Sequence, residues 1–244
     1  MSLRMPRISG EIERRLLVNY RVDPEVAARI LPPPFRPQLV DGHAVAGICL
    51  LRLGSIRPDR LPAAVGLRSE NAAHRFSVEW DEPGRGRRTG VYVPRRDSAA
   101  WSNVVLGGRL FPGEHHHASF EVSESDEHLR VGFVADDGSA SVDVAVEVAG
   151  DLGPSALFAS LEDASDFFER GSLGYSATHR SGRYDGLALR TSAWRVEPVR
   201  VEHARSSYFE DESLFPRGSA VLDHALLMRR VPVVWEAAPS MAAP

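Results

Sequence analysis

Apolar residues in this chain recur mainly at every second position or in short unbroken runs, and both patterns predict strands. Leu16–Val22, His43–Ile56, His74–Trp80 and Thr89–Pro94 fit in the first part of the chain. The last two are joined by DEPGRGRR, a hairpin-type connection. His115–Ser123, His128–Ala135 and Ser139–Val148 follow closely, separated by ESDE and DDGS, which is the rhythm of an antiparallel meander. Leu187–Trp194, Val196–Ala204 and Val221–Trp235 complete the set. Pro232 lacks an N–H, which confines part of the last run to an edge or a bulge.

Helix signals are few. Asp23 suits an N-cap, with Pro24 and Glu25 in the first turn, and Pro32 to Pro34 end that helix by Leu31. Asp97–Leu106 predicts a second, closed by Gly107-Gly108. Ser160-x-x-Asp163 opens a third, LEDASDFFER, closing at Gly171. Strands dominate, so the fold class is mainly β, a barrel or wrapped sheet with short peripheral helices. One domain is expected over residues 12–236, between flexible tails at 1–11 and 237–244.

Charge narrows the partners. The formal net charge of −4 is mild, and the longest basic cluster, Arg85 to Arg88, sits beside Asp81 and Glu82 in a turn. That is too little for a nucleic-acid footprint. Without a signal-like apolar segment or a run of about 18 apolar residues, no membrane partner and a cytoplasmic location are expected. Homo-oligomers remain compatible with the sequence.

All 29 basic residues are arginine. A guanidinium does not act as an amine nucleophile, so only the Met1 α-amino group is chemically able to form an imine. The one cysteine, Cys49, lies in the apolar run AVAGICLLRL and reads as a buried structural thiol. With no G-x-S-x-G elbow, P-loop or dinucleotide fingerprint, no cofactor is expected.

Four blocks, LLVNYRVDPEVAARILP, GVYVPRRDSAAWSNVVLGGRLFPGEHHHASFEV, DASDFFERGSLGYSATH and VEHARSSYFEDESLFPRGSAVLDHALLMRRVPVVW, resemble a bacterial domain-of-unknown-function family placed in the acetoacetate decarboxylase-like superfamily. The resemblance runs from about Leu16 to Trp235. It implies an acetoacetate decarboxylase-like antiparallel β barrel or cone around a small-molecule cavity, a fold and not a reaction. True decarboxylases of that superfamily use a pocket lysine, and this chain has none.

The central block supplies the candidate pocket. Arg95, Arg96 and Arg109 are permanent cations suited to a small anionic ligand, Trp101 offers an apolar wall, and His115 and His117 transfer protons near neutral pH. Adjacent arginines on a strand point to opposite sides, so one of Arg95 and Arg96 faces any cavity. Glu70 adds an acid, and Tyr175 a hydroxyl or simply a packed ring. On strand alternation His115, His117 and Glu121 share a face, an H-x-H-x3-E set for a transition metal. The glycines and second motif of a cupin are missing, so the metal enzyme is the alternative reading. Alternation also separates Asp223 from His224. A ligand-binding protein or enzyme of unknown reaction, a metal enzyme and a non-catalytic interaction protein remain open.

Overall fold

A computed structural model describes residues 7–101, 113–178 and 182–243. Within them are strands β1 (Ile8–Val22), β2 (Arg36–Pro37), β3 (Leu39–Val40), β4 (His43–Pro58), β5 (Leu67–Glu82), β6 (Gly86–Ser98), β7 (His115–Glu124), β8 (His128–Ala135) and β9 (Ser141–Val148). Strands β10 (Leu173–Ala177), β11 (Arg183–Arg190), β12 (Glu197–Ser206) and β13 (Ala220–Ala242) follow, with helices α1 (Pro24–Ile30) and α2 (Leu161–Arg170). The expected caps form. Asp23 accepts from the N–H groups of Glu25 and Val26, and Ser160 from that of Asp163. No helix of the described residues is long and apolar enough to cross a membrane.

The protein is mainly β, and its sheet closes on itself. Neighbours run β13–β1–β4–β5–β6 along one wall. From β6 the sheet returns to β13 by two paths, one through β10 and β11 and one through β7, β8, β9 and β12. Two pairings, β10–β6 and β6–β7, are parallel, in an otherwise antiparallel sheet. β13 can serve both closures because its early part, Ala225 to Leu227, pairs with β12 and its later part, from Val234 on, pairs with β11. Pro232 lies in the gap between those partners, where a missing N–H costs no ladder bond.

Alternation then sorts the core. Leu16, Val18, Ile48, Leu50, Phe76, Val131, Val144 and Leu227 point inward with Phe209 and Phe215 from the loop before β13. The opposite face of the wall, with Leu17, Val45, Cys49, Ala73 and Leu226, is covered by Phe158 and by Phe167 and Phe168 of α2.

Three expectations need correction. Residues 8–11 and 237–242 are strand rather than tail: Ile8 is buried in β1, and Ala237–Ala242 of β13 pair with β11. β6 runs through Asp97 and Ser98, paired to Ala72 and Asn71, so no helix starts at Asp97; 102–112, with the rest of that segment and Gly107-Gly108, lies outside the described residues. GSLGYSA, where no strand is expected, contains strand β10.

Candidate functional site

The inward face where β5, β6 and β7 meet is unusually polar. His74 is fully buried, pairs in register with Arg95, and packs against Tyr208 with ring centroids 4.6 Å apart and the planes tilted by 42°. Its Nε2 lies 3.5 Å from Ser206 Oγ, while Nδ1 is buried without a partner. Burial, reinforced by the Arg95 charge, pushes its pKa down to about 3, so the imidazole is neutral at physiological pH. Arg95 holds Asp97 through Nη2 at 2.7 Å and Nε at 3.0 Å, leaving Nη1 outside that fork. Burial raises the Asp97 pKa against the pull of Arg95.

Phenols close the same space. Tyr92 is pushed up to about 12 by burial, with Tyr184 and Glu114 adding to it. Tyr208 is raised by burial and by Tyr92. Both remain neutral hydrogen-bond donors at any physiological pH. Beyond small Ala72 the inward face carries a ring of ions. Glu70 takes Arg14 at 2.5 Å and Arg52 at 2.6 Å, and Arg52 also takes Glu124 at 2.8 Å.

The sequence-selected residues do not gather at one point. Arg95 faces inward, and Arg96 faces the other side, where Nη2 lies 3.4 Å from Ser176 Oγ. Glu70 is inward but held in the ion ring. Tyr175 packs between Phe35 and Trp80 and donates to the Pro239 carbonyl, the plain packing role. His117 stacks on Trp101 at 4.1 Å, with Nδ1 on Asp136, and His115 lies beside Arg96 in register. Arg109 lies outside the described residues.

The metal alternative is not supported by this geometry. Among the described residues the group of three potential ligands whose atoms all lie within 4.8 Å of one another is His128, Glu147 and Glu202. His115, His117 and Glu121 share a face, but spacing along the strand keeps them from converging.

A second buried polar group, missed in the sequence, lies on the outer face under α2. Arg75, 2% exposed, donates from Nε to Cys49 Sγ at 3.1 Å and from Nη2 to Asn19 Oδ1 at 2.5 Å. Asn19 Nδ2 lies 3.0 Å from His224 Nε2, and His224 Nδ1 lies 2.7 Å from Asp223 Oδ2. The signal was present: Asn19 and Arg75 sit within largely apolar runs at positions with no water to reach.

The chain belongs to the family DUF2071, described as an uncharacterized conserved protein, whose model matches residues 10–231. No curated protein matches it. Among solved structures, acetoacetate decarboxylase from Legionella pneumophila is similar at 10% identity and TM-score 0.57, over 96% of this chain and 87% of that one. The enduracididine biosynthesis enzyme MppR complexed with pyruvate is similar at 14% identity and TM-score 0.56, over 97% and 89%. An acetoacetate decarboxylase-like enzyme from Sphingomonas wittichii is similar at 12% and TM-score 0.56, over 98% and 91%. At these identities the likeness establishes the acetoacetate decarboxylase-like fold alone.

Proposed function

We propose that this member of the DUF2071 family binds a small organic acid inside the closed sheet, with His74, Tyr92, Tyr208 and Arg95 as its polar contacts. The observation that carries this reading is His74 Nδ1, a buried polar atom without a partner in the middle of the protein. Leaving such an atom unsatisfied costs about 1–3 kcal/mol, which a ligand carboxylate or carbonyl offsets by bonding to it. Arg95 Nη1 supplies a charge outside the Asp97 fork, and the phenols supply neutral donors. Such a set holds a carboxylate or polarises a carbonyl.

Any reaction at this site runs without a lysine imine, because the chain has no lysine. Glu114, whose charge acts on Tyr92, stands at the same junction as an acid. The pyruvate held by MppR sets the ligand size to try first.

Thermal shift with pyruvate, acetoacetate and short-chain acids tests the reading. A bound acid raises Tm with concentration. His74→Phe and Arg95→Met should abolish the rise, and Arg96→Ala, on the other face, should keep it. If no acid stabilises the wild type, or both inward variants respond as it does, the assignment is wrong.

A further inference from the structure

The network under α2 takes no part in the inward site, and it holds the only cysteine. Three guanidinium groups surround Cys49. Arg75 Nε lies at 3.1 Å, Arg15 Nη2 at 3.6 Å, and Arg96 stands near enough for its charge to couple to the thiol. The other faces are apolar, from Leu17 and Ala73 to Phe168 of α2. The acid of the network, Asp223, is reached only through Asn19 and His224. Burial raises the thiol pKa, but Arg75 and Arg15 outweigh it and bring the group below its ordinary value. Two donors on the same two arginines, Arg75 Nη1 and Arg15 Nε, are buried without an acceptor.

We propose that Cys49 is a peroxide-reactive thiolate, and that its oxidation to a sulfenate is received by the unpartnered donors of Arg75 and Arg15. The thiolate sulfur attacks one oxygen of hydrogen peroxide, forming an S–O bond as the O–O bond breaks. Sulfur loses two electrons and the peroxide gains them. The departing hydroxide takes the sulfenic proton, so the products are the Cys49 sulfenate and water. An anion stands between the arginines before and after the step, which keeps their charges compensated. No second cysteine exists in the chain to convert the sulfenate into an internal disulfide. Arg15, half-buried with its guanidinium 5.8 Å from the Trp194 ring centre, links the buried thiol to the surface.

Two measurements on the full chain test this. Thiolate absorbance near 240 nm, taken as wild type minus Cys49→Ser, should appear at lower pH in the folded protein than in the unfolded chain. An ordinary thiol would gain it only around pH ~8.5. Dimedone after mild peroxide treatment should add one label per chain, at Cys49. Arg15→Met should slow labelling at pH 6.5 by roughly tenfold and leave it nearly unchanged at pH 9.5. An absorbance that rises only in the ordinary thiol range overturns the proposal. So does a folded protein that stays unlabelled where the unfolded chain is labelled. The wild-type titration decides even if Arg15→Met does not fold.

Discussion

Asp223 and His224 are consecutive in β13, yet their side chains meet on one side of the sheet, Oδ2 to Nδ1, at 2.7 Å. A bulge makes this geometry. Asn19 of β1 pairs with His224 and Tyr20 with Leu222, which leaves Asp223 unopposed and free to turn. The hydrogen bonds then run one way. Arginine can only donate, so Asn19 turns its oxygen to Arg75 and its N–H to His224 Nε2, and the imidazole proton sits on Nδ1 facing Asp223.

Breaking this relay in the middle should be expensive. Asn19→Leu leaves the buried Arg75 guanidinium and His224 Nε2 without their shared partner. A loss of about 2–3 kcal/mol is expected, because a hydrogen bond to a buried charged group is lost and both groups stay buried. Urea unfolding checks it, with exposed Asp136→Asn as a control that should change stability little.

At the end of the relay, pH reports on Asp223. Burial disfavours its charge, but hydrogen bonds from His224, Ser155 and the Ala156 N–H outweigh that and hold its pKa below the usual carboxylate value. The folded state therefore binds this proton less tightly than the unfolded chain. Its stabilisation is complete above the unfolded value of about 3.9 and is lost as pH falls through the folded one. Asp223→Asn should be the less stable protein at pH 7, with the gap narrowing below about pH 4. A gap independent of pH would contradict the direction of the shift.

The inward ion ring gives a contrast between two neighbours. Arg14 is 1% exposed and bonds Glu70 at 2.5 Å, whereas the Arg52 side chain is 21% exposed. Glu70→Gln leaves the Arg14 cation with only the looser Glu124 contact at 3.6 Å. It should cost about 3 kcal/mol, against about 1 for Arg52→Ala. Glu70→Gln combined with Arg14→Met should recover part of that loss, because the pair leaves together. Denaturant unfolding of the four proteins at one pH measures both the difference and the recovery.

Much of the fold was legible because its strands alternate or stay apolar, as from His43 to Ile56 and through the β7–β8–β9 meander. The closing elements were not. GSLGYSA and the AAPSMA stretch are rich in glycine, alanine and proline, and distant partners, β6 and β11, make them strands. At the site, alternation correctly sent Arg95 and Arg96 to opposite faces. The same rule misplaced Asp223 and His224, because a bulge suspends it locally. Cys49 looked inert because its charged neighbours come from β1 and β5, 34 and 26 residues away in sequence.

His74 offers a sharp pH test, because its proton equilibrium differs strongly between folded and unfolded chain. Burial, then Arg95, lowers its pKa to about 3, whereas the free side chain titrates near 6.5. Below pH 6.5 the unfolded chain takes up a proton that the folded protein refuses, so stability should fall with acidification down to about pH 3. At 1.36 kcal/mol per unit this one group removes roughly 3 kcal/mol by pH 4. His74→Gln keeps a polar side chain but does not titrate, and should lose that slope between pH 6.5 and 4. Asp223 contributes mainly below about pH 4, so the two effects separate along the pH axis. Binding of an acid at the inward site should share the flatness. An imidazole that stays neutral from pH 5 to 8 cannot gate the ligand, whereas a titrating one would change affinity across that range. Parallel acid loss in wild type and His74→Gln would mean that the imidazole is solvated rather than buried, and the inward site would lose its central contact.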